Sequence, residues 1–195
     1  MRFDQAIMTF SSNIDEEMKN REVMLDFFKK HSDSLRRENK IAHLTGSAMI
    51  FNQDLSKTLM IHHNIYQSWG WTGGHADGQA DLLEVAIKEA REETGLGKFA
   101  VLSDEIISLD ILPVFSHYKN GHYISPHLHF SLCYALQADE KEPVFIKPDE
   151  NSGVAWIQLN EIKNFVNESH MLPIYDKIIC KVKKSCQQDY TFESR

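Results

Sequence analysis

Residues 73–96 read "GGHADGQADLLEVAIKEAREETGL". The spacing predicts a helix from about Leu82 to Glu93, with Asp81 as N-cap, Glu84 completing a capping box and Gly95 as the left-handed residue that ends it. Leu83, Ala86, Ile87 and Ala90 recur at i, i+3, i+4 and i+7, which predicts one apolar stripe packed on a sheet. With that stripe buried, Glu89, Glu92 and Glu93 share the neighbouring face, beside the glycine-rich turn GGHADG. Like charges at this spacing disfavour a bare helix by about 0.2–0.5 kcal/mol per pair. An EAREE run is ordinarily a solvated face. Beside a glycine turn, the crowding has a second explanation in a hard divalent cation such as Mg2+, which takes oxygen ligands from a few carboxylates and from substrate phosphates.

The whole segment resembles the Nudix box, the signature of the Nudix hydrolases. Gly74 stands at the box's first glycine, Glu89 and Ala90 at its Glu-aliphatic step, Glu92 and Glu93 at its paired glutamates, and Gly95 and Leu96 at its end. Two positions depart from the pattern: Ala80 occupies the place of a glutamate and Lys88 that of an arginine. In the family these two look mainly structural, pairing with each other and orienting the glutamates. Both ends of that ion pair are altered here, so no single charge is stranded. Lys88 is expected to pair with Glu84 or Glu92, four residues to either side, and to orient Glu89 less rigidly than an arginine fork would. The resemblance extends to HLTGSAMIF, LMIHHN, WGWTGGHADG and ENSGVAWIQL, so it covers roughly residues 40–165.

The resemblance implies hydrolysis of a nucleoside diphosphate derivative or a similar pyrophosphate, with Mg2+ or Mn2+ as cofactor. Glu92 and Glu93 are then metal ligands, Glu89 a ligand or base, and the Gly74 carbonyl a further ligand. The proton acceptor varies within the family, and Glu150, in KPDENSG just before a predicted strand, is the candidate outside the box; an ordinary polar turn is the competing reading. Two other classes remain open. One is a nucleotide-binding module with little turnover, which Ala80 and Lys88 favour and the three later glutamates oppose. The other is isopentenyl-diphosphate isomerase, performed by another branch of the fold with a cysteine and a glutamate, for which Cys133 is the strand cysteine.

The rest of the chain fits this frame. Its 195 residues, 42% hydrophobic and 25% charged, suit one domain with a real core. A net charge of −7 argues against a protein that grips nucleic-acid backbone, and the small-molecule nucleotide or diphosphate partner that the resemblance implies would need a local attractor such as a metal. Three cysteines, Cys133, Cys180 and Cys186, with no CxxC pair suit reduced thiols and a cytoplasmic location. The first 25 residues show neither a signal-peptide pattern nor a membrane span.

A helix is expected over Asp15–His31, with Asp15 capping it, followed by a turn region at SDSLRREN. HLTGSAMIF, KTLMIHHN, SWGWT, EIISLDILPVF, HYISPHLHFSLCYAL and SGVAWIQL read as strands, and NEIKNFV and LPIYDKIICKVKK as closing helices. The expected fold is α/β (α+β): a Nudix-type α/β/α sandwich around a mixed β-sheet. Residues 1–40 form a helical extension before a domain at 41–195, and that extension serves as lid, homodimer contact or docked cap over a sheet edge.

Among polar residues, His127 and His129 fall on one side of a strand as a metal pair or a phosphate contact. With ten histidines in the chain, coincidence competes with both. His75, His62 and His63 read as rim residues, against the simpler reading of packing or surface placement, and His75, with Lys88, as a substrate contact. Trp69 and Trp71 alternate in a short strand, so Trp71 is a candidate to stack a base, against the simpler role of filling a core.

Overall fold

The computed structural model describes residues 1–119 and 121–192, with side chains to residue 185. The elements are α1 (Phe3–Thr9), α2 (Asp15–Lys30), β1 (Ala42–Phe51), β2 (Lys57–His63), β3 (Ser68–Gly70), β4 (Thr72–His75), α3 (Leu82–Thr94), β5 (Ala100–Val101), β6 (Ser108–Val114), β7 (His117–Lys119), β8 (His122–Ile124), β9 (His127–Gln137), β10 (Asn151–Gln158) and α4 (Leu172–Phe192), with 3-10 turns at Ile162–Asn164 and Ser169–Met171. The fold is mixed α+β, as the apolar patterning implies. No described helix is long and apolar enough to cross a membrane.

The chain divides into two compact units, and residues 1–40 fall within the first: Met1–Ala48, Gly73–Ala90 and Asp104–Tyr134. There β6 pairs antiparallel with β9, from Ser108 opposite Cys133 to Val114 opposite His127. β9 neighbours β1, where the hydroxyls of Ser47 and Ser131 meet at 3.1 Å, and β4 pairs β1. Acidic residues open α2 and lysines close it, which complements its dipole. Phe27 and Phe28 of α2 meet Phe130 of β9 edge-on, at centroid distances of 5.1 and 6.0 Å, and Phe3 of α1 meets Phe28 at 5.3 Å.

The second unit comprises Met49–Thr72, Arg91–Ser103 and the described chain from Ala135 onward. β2 lies between β1 and β10, with Leu59 opposite both Ile50 and Trp156, and β3 pairs with the far end of β2. β5 pairs the end of β9. α4 buries Tyr175, Ile178 and Val182, an i, i+3, i+7 stripe.

The differences from expectation have local causes. α1 buries only Phe3 and Ile7, too short a pattern to stand out in the sequence. Ile14, not Asp15, is the N-cap of α2, with its N–H on Ser12 Oγ at 3.1 Å, and Asp15 lies inside the first turn. SWGWT divides at Trp71 into β3 and β4. Pro126, which has no N–H to donate, separates β8 from β9. NEIKNFV forms only the 3-10 turn, with Asn164 N bonded to Glu161 O and Phe165 N to Ile162 O. Cys133 is buried and Cys180 exposed, neither in a disulfide, and the side chain of Cys186 lies outside the described residues.

Gly95 ends α3 in the left-handed region, φ +75°, with its N–H on Arg91 O at 2.9 Å. A Cβ there would stand 2.8 Å from Phe145 Cδ2. Gly95→Ala therefore combines backbone strain with a clash, and the urea midpoint should fall by an equivalent of about 1–2 kcal/mol or more. An unchanged midpoint would contradict this helix terminus.

Candidate active site

The N-terminus of α3 is anchored as the capping pattern requires: Asp81 Oδ1 accepts the N–H of Leu83 at 3.2 Å and of Glu84 at 3.5 Å. The return bond that a capping box assigns to Glu84 is made by Gln79, whose Oε1 accepts the Asp81 N–H at 3.2 Å. The buried stripe is Leu82, Val85, Ala86 and Ala90, while Leu83 and Ile87 are half-buried. This corrects the expected rotation. LLEVAIKEA holds two overlapping i, i+3, i+4 stripes, and periodicity alone does not choose between them.

The rotation grades the glutamates. Glu93 continues the buried line and is 3% exposed; the side chain of Glu89 is 13% exposed and that of Glu92 40%. In the first unit the Glu89 carboxylate lies against the backbone of Gly74, so close that a Cβ on Gly74 would stand 2.6 Å from Glu89 Oε1. Lys88 Nζ pairs with Glu89 Oε1 at 3.2 Å. In the second unit Lys147 Nζ reaches Glu92 Oε2 at 3.2 Å and Glu150 Oε2 at 3.0 Å, and Asn151 Nδ2 donates to the Glu93 carbonyl at 2.9 Å. Burial alone would lower the pKa of Lys147, but its bonds to Glu150 and Glu92 outweigh that and hold the ammonium well above its usual value.

The turn before α3 is held by Arg37, which pairs through Nε with Asp77 Oδ1 at 2.7 Å and through Nη2 with Oδ2. That pairing keeps the Asp77 carboxyl below its usual range. Asp77 (φ +46°) and Gly78 (φ +93°) are both left-handed, a sharp reversal at the start of the helix. Ala80, at the place of the missing glutamate, accepts the Phe3 N–H on its carbonyl at 2.8 Å, so α1 is tied to this loop by main chain.

His127 and His129 do share one side of β9, and they meet two further rings. His43 lies 4.8 Å from His127 and 5.0 Å from His129, and His75 lies 4.9 Å from His43 and 5.0 Å from His129, centroid to centroid. His62 Nδ1 meets Ser152 Oγ at 2.8 Å, and His63 Nδ1 accepts the Ile65 N–H at 3.0 Å. Trp69 is edge-on to Phe165 and Trp71 edge-on to Tyr175, both half-buried. With Trp71 standing between β3 and β4, the two indoles do not alternate along one strand.

Arg37, His43, Asn39 and Lys147 escaped the sequence reading. Lys147 carried a usable signal, since it stands three residues before Glu150. Long-range pairings such as Arg37–Asp77 leave no local pattern.

A model of the NUDIX domain matches residues 43–178, more than half of the sequence. The chain belongs to the NUDIX domain family. It is 29% identical over 105 residues to a probable DHNTP pyrophosphohydrolase of Lactococcus lactis subsp. cremoris, an alignment spanning 53% of this chain and 59% of that relative. Among solved structures, a C. elegans Ap4A hydrolase binary complex superposes with a TM-score of 0.54 at 15% identity, over 72% of this chain and 98% of that one. The E. coli dihydroneopterin triphosphate pyrophosphohydrolase gives 0.53 at 13%, over 70% and 94%. These likenesses show the Nudix fold.

Burial pushes the imidazoles of His43, His75 and His129 below their usual range, His75 to about 3 and His129 to about 2. Arg37 and the neighbouring rings act in the same direction, as Lys40 does on His43 and Lys119 on His75, while Asp77 opposes them at His75. Below pH 6.5 the unfolded chain takes up protons that these folded rings refuse. Their contribution to stability is therefore complete above about pH 6.5 and is lost as pH falls from there toward 3. Thermal melts in chelator at pH 7.5 and 5.0 should show wild type losing more stability than a His75→Asn, His129→Gln double variant. Equal losses would contradict the buried neutral rings.

Proposed function

We propose that the protein is a Nudix pyrophosphohydrolase that cleaves a diphosphate linkage in a nucleotide derivative with Mg2+ or Mn2+. The observation that carries the reading is the apposition of the Gly74 backbone and the Glu89 carboxylate, a cradle that any Cβ at residue 74 would fill. The oxygen-rich donor set fits a hard divalent ion, and Lys147 already places a cation between Glu92 and Glu150. Glu92, Glu93, Glu89 and the Gly74 carbonyl would hold the metal. When bound, divalent ions neutralise phosphate oxygens and acidify an attacking water.

The chain's own residues supply the remainder. Continuous helix α3 sets the spacing of Glu89, Glu92 and Glu93. Lys88 orients Glu89 through its 3.2 Å ion pair. Glu150 is the proton acceptor: its carboxylate is tied through Lys147 to Glu92, which brings it to the end of α3 from a loop outside the box. His75 and Lys88, with Trp71, His127 and His129, are the proposed substrate contacts. Residues 1–40 act as a docked cap, supported by the Phe3–Ala80 main-chain bond and the Arg37–Asp77 pair. Cys133 is fully buried on β9, which favours packing over isomerase chemistry. The names of the relatives argue for including a pterin triphosphate and a dinucleoside polyphosphate among the substrates tested.

A nucleotide-binding module without turnover is the second reading, and the absence of the glutamate–arginine pair at Ala80 and Lys88 favours it. Phosphate release from a panel of nucleotide sugars, ADP-ribose, dinucleoside polyphosphates and triphosphates, with Mg2+ and Mn2+, separates the two. The proposal expects metal-dependent release, abolished in a folded Glu92→Gln, Glu93→Gln variant. Glu150→Gln should lower kcat by about 100-fold or more while keeping metal affinity. Tight ligand binding with no release from any member would favour the module.

A further inference from the structure

We infer that His43, His75 and His129 form a binding site for a borderline divalent transition-metal ion of the Zn2+ or Co2+ kind, separate in its ligands from the carboxylates of α3. The three residues come from β1, β4 and β9 of the first unit, and one ligand nitrogen from each lies within 4.8 Å of the other two. The rings are tilted at 43°, 54° and 88° to one another, so they converge instead of stacking.

His43 is built for the role. Asn39 starts β1 by accepting the N–H groups of Ile41 (3.1 Å) and Ala42 (3.3 Å) on its side-chain oxygen, and its main-chain carbonyl lies 3.0 Å from His43 Nδ1. A carbonyl only accepts, so Nδ1 carries the proton and Nε2 the lone pair. A backbone carbonyl on the far nitrogen is how metal-ligating histidines are commonly oriented. His43 is 3% exposed, and neither its Nε2 nor the buried Nε2 of His129 has a hydrogen-bond partner. Two buried nitrogens without a partner beside a third ring are the unexplained polar groups that a metal would account for.

The chemistry selects the ion. Neutral imidazole is the ligating form. Nitrogen ligands suit Zn2+, Co2+, Ni2+ or Cu2+ and disfavour Mg2+, the ion the glutamates suit. Bonds of about 2.0–2.1 Å would draw the nitrogens to about 3.4 Å apart. Three protein ligands leave a fourth position for water or a substrate oxygen. The positive charge of Arg37 is balanced by Asp77, and the His127 ring, stacked 4.8 Å from His43, lines the side of the cluster. Since His75 follows Gly74 in the chain, an ion here would join β4 to β1 and β9 and fix that glycine.

The inference does not rest on the hydrolase reading. Full-length protein stripped by chelator is titrated with Co2+ and followed by its visible ligand-field absorption. One equivalent with a tetrahedral-type spectrum is expected, retained in Glu92→Gln, Glu93→Gln. His43→Asn and His129→Ala should each weaken it by at least the roughly 10- to 100-fold that loss of a supporting residue causes. No spectrum in wild type, or binding that survives both histidine variants in folded form, overturns the site. Binding lost only in the glutamate variant assigns the ion to α3 and also overturns it. Should the histidine variants fail to fold, NMR of wild type decides: Zn2+ must shift the ring resonances of His43, His75 and His129, and unmoved rings reject the proposal.

Discussion

The contact between the Gly74 backbone and the Glu89 carboxylate is the constraint on which the rest of the arrangement depends. It requires a glycine at the end of β4, a helix rotated so that Glu89 points back at the turn, and a reversal tight enough to bring strand and helix together. The reversal comes from left-handed Asp77 and Gly78, and Arg37 clamps it. The rotation comes from burying Leu82, Val85, Ala86 and Ala90 beneath an Asp81 cap. Each element is ordinary; their coincidence leaves an acidic group against bare main chain.

Electrostatics sets the cost of this arrangement. A helix whose last two turns carry Glu89, Glu92 and Glu93, one of them nearly fully buried, bears a desolvation cost. Lys88 and Lys147 offset part of it. Both pairings are partly exposed and monovalent, so they contribute modestly. On the proposed reading, a divalent ion held by these carboxylates and the Gly74 carbonyl would offset more. The histidine cluster of the first unit follows the same logic with softer ligands.

Much of this was legible in the sequence because its signals are local. The cap at Asp81, the stop at Gly95, the i, i+3, i+4 spacing of the glutamates and the spacing of the box all lie within a span of two dozen residues. The long strands β1, β2, β6, β9 and β10 stood out as apolar runs, whereas β5 and β7, two and three residues long, did not. The rotation of α3 was misread because two apolar stripes overlap, and only the packing surface decides between them. Arg37 and His43 leave no local pattern because their contacts are made across long stretches of chain, Arg37 with Asp77 and His43 with His75 and His129, whereas Lys147 shows locally only its spacing from Glu150 and meets Glu92 in the folded chain. His127 and His129 were visible as a pair, but a pair is too few ligands to name a site; the third and fourth rings exist only in the folded chain.

The most direct test of the account is the anomalous scattering of manganese in crystals grown with Mn2+ and a non-hydrolysable nucleotide diphosphate analogue. The account predicts manganese on the carboxylates of Glu89, Glu92 and Glu93 and the carbonyl of Gly74, with a phosphate oxygen of the analogue on the same ion. Analogue and manganese bound elsewhere, with those oxygens bare, would contradict it.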